Sequence, residues 1–426
     1  MILVYRVLTN ILYPFLHIFL LIRVLRNKED PKRYKEKIFV KHFNVTKANN
    51  SKLLWFHAAS VGELNSIVPI IKKIDDKKKN YEFLITTTTL SSSQLVEIKF
   101  KIFENVKHRF MPFDVNYIIE KFLNKWKPEK IFLVDSEIWP NLILKAKAHK
   151  IPIALINARI TKKSLNRWLL FPRTARKIFK VFDLCLCSNK ETKNFLQELN
   201  AKNIKYEGNI KFINEEAKKF VENHNIRSLS NSRFWVAASI HKEEDILCLK
   251  THIEIKKKYD DIITIIAPRH IERVKKIKNL SESLNLNTQI LNQNDEILKN
   301  NEIIIINSYG ELHNFFHHAK SVFIGKSMIK RLKNDSGQNP IDAAYLNCKV
   351  YHGPYVSNFH EIYEILKNNN ISNQIKNFEE LSKNLISDLN KFQKQNIFSK
   401  NIEILGKEIF ANTMSTIETF LNEKSH

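Results

Sequence analysis

Glycine is scarce in this chain, with seven among 426 residues, at positions 62, 208, 310, 325, 337, 353 and 406. So few glycines leave no GxGxxG or P-loop pattern, which removes the ordinary dinucleotide and NTPase readings. Each glycine is expected at a tight turn or a close backbone approach, and the first six fall in or beside loops that follow expected strands. Cysteine is equally sparse. Cys185, Cys187, Cys248 and Cys348 form neither a disulfide framework nor a paired CxxC zinc site. Cys185 and Cys187 lie in one apolar run and read as buried strand residues, in keeping with a reducing cytosol. Acidic residues are in deficit, 44 against 69 lysines and arginines, for a net charge of +25. That balance favours polyanions: nucleic acid, anionic lipid or phosphorylated substrates. A Lys-, Asn- and Ile-rich composition follows from A- and T-rich codons as well, so charge alone selects no reaction. The interleaved aromatic and basic stripe of a single-strand binder is missing.

Only one run is apolar and long enough to cross a bilayer, residues 1–22, broken by Arg6. A basic cluster from Arg23 to Lys37 follows, which would hold the next domain on the cytoplasmic side. Three readings fit: a membrane-attached helix, spanning or lying in the interface with Arg6 snorkelling to water; a docking helix of a soluble protein; or a cleaved signal. No A-x-A-like cleavage site follows the run. The expectation is therefore an anchor helix over 1–25, on the cytoplasmic side of the inner membrane.

Beyond it, short apolar runs alternate with helical lengths. Leu53–His57, Phe83–Thr87, Lys130–Val134, Ile151–Asn157 and Leu184–Cys187 read as strands, with a helix from about Gly62 to Ile74 and another opening at Ser91–Ser93. The rhythm breaks over the charged stretch 213–232, the expected linker. It resumes with Phe234–Ala238, Ile262–Ala267, Glu302–Ile306, Ser321–Ile324 and Lys349–Tyr351. The tract 368–402 reads as surface helices. This is the βαβα pattern of α/β proteins with parallel sheets: two Rossmann-like domains, 36–215 and 230–426, facing a cleft. Ligands are expected outside the carboxyl ends of the strands.

Chemistry-bearing residues cluster at those ends. In Trp55-Phe-His-Ala-Ala-Ser-Val-Gly-Glu63, a strand turns into a helix, with Ser60 and Gly62 in the turn. Glu63 could take a proton from an attacking hydroxyl, or simply complement the helix dipole. Asp135 and Glu137 follow another strand; two such carboxylates could hold a sugar hydroxyl, cap a helix or bind a metal. No nearby His or Cys completes a metal set. Lys211 precedes the linker and Arg269 follows a strand, and cations converging there would suit a phosphate leaving group. Tyr309-Gly310-Glu311 follows a strand, and Gln338-Asn339-Pro340-Ile341-Asp342 opens a helix that could offer N–H groups to phosphate.

Together these segments resemble the 3-deoxy-D-manno-octulosonic acid (Kdo) transferases. The blocks are HAASVGE (57–63), TTTT (86–89), SEIWPNLI (136–143), NARITKKS (157–164), GNIKF (208–212), SIHKEED (239–245), PRHIER (268–273), YGEL (309–312), GQNPIDAA (337–344) and GPYVSNFHEI (353–362), in family order. The resemblance implies a GT-B fold and inverting transfer of Kdo from CMP-Kdo to a lipid A precursor, with no metal or other cofactor. It implies Glu63 as proton acceptor, Asp135 and Lys211 as transition-state stabilisers, and Ser60, Gly62 and Glu137 in support. CMP would be held by Pro268, Arg269, Tyr309, Gly310, Glu311, Asn339, Pro340, Ile341 and Asp342. The implied partners are CMP-Kdo, the lipid acceptor and an anionic membrane surface, not nucleic acid. Departures are Asp for Glu at 135 and 342, Gly325-Lys326-Ser327 for GGS, Gln338 for a histidine and Asn307 for an aspartate. The rival expectations are a GT-B transferase using a UDP- or GDP-sugar, and a basic nucleic-acid- or membrane-binding protein.

Overall fold

The computed structural model describes residues 1–43, 51–77, 80–213, 225, 229, 232–293, 295–308, 310–390 and 397–423. Most of the expected linker 213–232, and the expected nucleotide ligand Tyr309, lie outside the described residues. The chain forms two compact units: Met1–Asn214 with Gly406–His426, and Glu215–Leu405.

Unit 1 is built on seven parallel strands: β1 (Lys52–His57), β2 (Tyr81–Thr87), β3 (Val106–Phe110), β4 (Lys130–Val134), β5 (Ile153–Ala158), β6 (Leu184–Cys187) and β7 (Ile204–Tyr206). Their order is β3-β2-β1-β4-β5-β6-β7. The central strands are apolar over most of their length, as expected where both faces of a parallel sheet are covered. Every residue of β4 and β5 is buried, and all of β1 except Lys52. Cys185 and Cys187 lie in β6, buried as expected. Since β1 leads to β2 on one side while β4 adjoins it on the other, the connections reverse direction between β1 and β4.

Unit 2 repeats the plan with β8 (Phe234–Ile240), β9 (Ile263–Pro268), β10 (Thr288–Leu291), β11 (Ile303–Ile306), β12 (Ser321–Ile324), β13 (Lys349–His352) and β14 (Ser372–Gln374). All pairings are parallel, in the order β10-β11-β9-β8-β12-β13-β14, so the reversal falls between β8 and β12. β14 lies inside the tract expected to be surface helices.

One boundary differs from expectation. The second domain was expected to run from 230 to 426, but Gly406–His426 packs on unit 1. The last helix, Ile397–Asn422, buries Ile409, Met414, Ile417, Phe420 and Leu421. Phe420 meets Phe132 of β4 edge to face at 5.6 Å. The buried Lys130 lies over the Phe420 ring and donates to the Glu423 carbonyl at 2.9 Å. Without this helix, one face of β4 would face water.

The helix α1 (Ile2–Leu25) is long and apolar enough to cross a membrane, but it is tied to unit 1 along its length. The Tyr5 hydroxyl donates to Asp114 at 2.9 Å and that of Tyr13 to the Ile38 carbonyl at 3.1 Å. Leu20 is buried against Tyr34 and Ile38, with Tyr13, Leu16 and Val24 packed on the same cluster. Arg6 is half-buried, and its Nε donates to Asn141 at 3.3 Å. The opposite faces expose Val4, Leu8, Ile11, Phe15, Ile18 and Ile22.

Candidate active site

At the end of β1 the chain turns through Ala58–Ser60 into the helix α2 (Val61–Lys77), whose third residue is Glu63. Ser60 Oγ accepts the Glu63 N–H at 3.3 Å and donates to Glu63 Oε1 at 2.9 Å. Glu63 Oε2 accepts the Ala59 N–H at 2.7 Å. This is a variant of the capping box: the serine takes the Glu63 N–H, while the glutamate reaches back past the cap to the N–H of Ala59. The capping reading of Glu63 thus describes its geometry, yet the electrostatics go further. Burial, and then the negative charges of Asp135 and Glu137, push its carboxyl up to about 7, against the opposing hydrogen bonds from Ser60 and Ala59. The capping bonds orient Glu63, while its surroundings make it basic near neutral pH.

Asp135 follows β4, the neighbour of β1 across the sheet reversal. Its φ of +56° lies in the left-handed region, which aspartate tolerates better than most residues. Its Oδ2 accepts from Lys211 Nζ at 2.6 Å and its Oδ1 from the Asn157 amide. Both ends of the ion pair are largely buried. Asn157, also at positive φ, uses Oδ1 to accept the Ile210 N–H at 3.1 Å. One buried amide therefore clamps the ends of β4 and β5 to the turn that carries Lys211. The structure brings the expected Asp135 and Lys211 together, and Asn157 is the residue that sequence reasoning missed. Its signal was a polar side chain closing the buried run Ile153–Ile156.

Glu137 lies two residues on. Its Oε2 accepts from Trp139 Nε1 at 2.8 Å and stands 3.2 Å from His57 Nε2. A carboxylate can only accept, so His57 Nε2 carries a proton in either charge state of the ring. His57 Nδ1 contacts Thr86 Oγ1 at 3.0 Å, and Thr86 Oγ1 accepts from Trp55 Nε1 at 2.9 Å. This fully buried chain holds Glu137 where its charge acts on Glu63. His57 and Thr86, both inside quoted sequence blocks, supply the positioning. Among the described residues, no three His, Cys, Asp or Glu side chains converge as a metal site.

In unit 2 the remaining expected residues stand after strand ends. Pro268 closes β9 and is buried; Arg269 is exposed, its N–H donating to the Ile240 carbonyl at 3.0 Å. Gly310, beyond β11, is exposed with a φ of +93° and open space where a Cβ would stand. Glu311 precedes the helix Leu312–His318. Asn339 Oδ1 accepts the Ile341 N–H at 3.2 Å, at the start of the short helix Ile341–Tyr345. Pro340 and Ile341 are buried and Asp342 is exposed.

Two Rossmann-like units, each with polar groups at the carboxyl ends of its parallel strands, define the class: a GT-B fold. A putative UDP-N-acetylglucosamine 2-epimerase from Listeria monocytogenes shares it with a TM-score of 0.60 at 14% identity, over 87% of this chain and 97% of that one. The family profile described as 3-Deoxy-D-manno-octulosonic-acid transferase (kdotransferase) matches residues 32–214. The chain is 32% identical to the 3-deoxy-D-manno-octulosonic acid transferase of Rickettsia typhi, over 92% of each chain. It is 30% identical to a probable mitochondrial 3-deoxy-D-manno-octulosonic acid transferase of Arabidopsis thaliana, over 86% of this chain and 82% of that one. The chain belongs to the Kdo transferase family, glycosyltransferases of lipopolysaccharide biosynthesis.

Proposed function

We propose that this enzyme transfers Kdo from CMP-Kdo to a sugar hydroxyl of a lipid A precursor, with inversion, and that Glu63 is the general base. The observation that carries this reading is the Glu63 carboxyl raised to about 7 beside the Asp135–Lys211 pair. A base with that affinity is half-ionised near neutral pH and can take a proton in the transition state, typically about 10²–10⁴-fold in rate. In the proposed step the acceptor oxygen bonds to the anomeric carbon as the carbon–oxygen bond to CMP breaks. The hydroxyl proton passes to Glu63, and CMP leaves with the electron pair. Lys211 gives one of its three N–H bonds to Asp135, leaving donors to meet negative charge on the sugar carboxylate or the leaving group. The positive charges are those of side chains, and no metal is required.

The proposed seat of the enzyme is the cytoplasmic face of the inner membrane, attached by α1. A helix bonded to unit 1 from Tyr5 to Leu20 while exposing apolar residues on its other faces suits the interface plane. Arg26 and Lys28, just past its end, would meet anionic headgroups.

The test is mass spectrometry of the product formed from CMP-Kdo and lipid A precursor, with CMP release followed in parallel. Turnover with UDP- or GDP-sugars alone would replace the proposed donor.

A further inference from the structure

The reversal of strand order in unit 2 brings together the loop after β8 and the loop after β12. Between them sits Glu244, a fully buried carboxylate. Its Oε2 accepts the N–H groups of His241 at 2.8 Å and Lys326 at 2.7 Å; its Oε1 accepts those of Ser327 at 2.9 Å and Met328 at 3.0 Å. Gly325 permits this approach, because a Cβ there would stand 2.5 Å from the Ile240 Cα. The consequence is chemical. A loop at a strand end ordinarily binds phosphate through its free main-chain N–H groups. Here those of residues 326, 327 and 328 are all used by Glu244. Positive charge at this point must come from side chains.

Such side chains are present. His241 and Lys326 hang from backbones clamped to one carboxylate oxygen. The His241 ring meets that of His270 edge to face at 5.5 Å. Burial, and then the nearby charges of Lys326, His270, Arg269 and Arg273, push His241 down to about 4, so its ring is neutral near pH 7. Two acids offset them. Asp245 pairs with Arg273. Asp335 lies 3.2 Å from Lys326 Nζ and is itself 64% exposed while the lysine is largely buried, so water screens the acidic end of the pair and leaves the ammonium only partly neutralised. Among the described residues, Nε2 of His241 and Nη1 of Arg273 are buried and have no hydrogen-bond partner. Lys326 also holds a φ of +58°, a conformation that favours glycine. Lys326 and the guanidinium groups of Arg269 and Arg273, with a neutral His241 ring whose Nε2 has no partner, form a cationic pocket suited to an anion.

We propose that Lys326 is the principal phosphate-binding cation of unit 2, seating the nucleotide phosphate of the sugar donor between its ammonium group and His241. This rests on the nucleotide-sugar reading above and assigns that site a residue which sets donor affinity.

The experiment is calorimetric titration of the full-length wild type, Lys326→Met, Lys326→Gly and Asp335→Asn with CMP and with UDP, at low and high salt, beside their melting curves. Both Lys326 variants should lose about tenfold to a hundredfold in affinity for whichever nucleotide the wild type binds, as expected for a charged hydrogen bond. Their salt dependence should be shallower, and their melting temperatures equal to or above wild type. Asp335→Asn should bind as tightly as wild type or more so. Unchanged affinity in both Lys326 variants overturns the proposal. So does weakened binding that comes with a melting temperature several degrees lower and is reproduced by Asp335→Asn. Binding of UDP but not CMP that still depends on Lys326 would support the subsite while refuting the donor. A wild type that binds neither nucleotide overturns both.

Discussion

Replacing Glu63 by glutamine should abolish transfer and, at alkaline pH, stabilise the protein. Glutamine keeps the shape; its carbonyl oxygen can take the Ala59 N–H while its amide donates to Ser60 Oγ, so what is removed is chiefly the charge. The folded carboxyl titrates at about 7 against 4.5 ordinarily. Folding therefore favours its protonated form, and the charged form costs stability. The cost is absent below about pH 4.5, grows as pH rises to 7 and is complete above it. The full displacement corresponds to about 3 kcal/mol. Glu63 is only partly buried, so solvent screening should leave about 1–2 kcal/mol. For a domain of this size that is roughly 2–8 °C in melting temperature. Melting curves of wild type and Glu63→Gln between pH 5 and 9 measure it. The two should coincide near pH 5, with the variant higher above pH 8. Transfer should fall by about 10²–10⁴-fold, and wild-type kcat/KM should rise with pH through about 7. A variant that melts lower at pH 8.5, or turns over near normally, would show that Glu63 serves the helix and not the reaction.

Asn157→Ala removes the amide joining Asp135 to Ile210. It should cost about 2–3 kcal/mol, read as a lower melting temperature, with at least a tenfold loss of CMP release. Phe420→Ala should cost about 3 kcal/mol, because the ring covers Phe132; a denaturant midpoint unchanged from wild type would contradict the packing of the last helix on unit 1. Deleting residues 1–22 would also strip the cover from Tyr34 and Ile38. The cleaner test of attachment is Ile11→Ser, Phe15→Ser and Ile18→Ser together on the exposed face. That variant should move to the soluble fraction with its melting temperature held, and continued sedimentation with membranes would point to another surface. Chelation by EDTA should leave transfer rates unchanged, and a loss restored by a divalent cation would overturn the metal-free mechanism.

The strands legible in the sequence were the central ones, and the four it did not reveal are the four sheet edges: β3, β7, β10 and β14. The reason is burial. A central parallel strand is apolar on both faces and stands out as a run such as Ile303–Ile306. An edge strand such as Val106-Lys-His-Arg-Phe110 is half wet and reads as loop. The last helix escaped in another way. Its apolar spacing showed a helix, but local pattern carries no information about which sheet will receive it.

The site divides along the same line. Sequence by itself determined the two Rossmann-like halves, and it located Glu63 and Asp135 at strand ends, since β–turn–α chemistry is local, and Lys211 just before the linker. It also left Glu63 open between base and cap. Tertiary structure alone decided that the capping bonds and the raised affinity coexist, because burial, and then the charges of Asp135 and Glu137 from a strand end more than 70 residues away, act on Glu63. The same holds for Asn157, and for Glu244 using up the N–H groups of the loop at Lys326. Hydrogen bonds between distant strand ends are set by the order in which strands assemble, and no window of sequence contains that order.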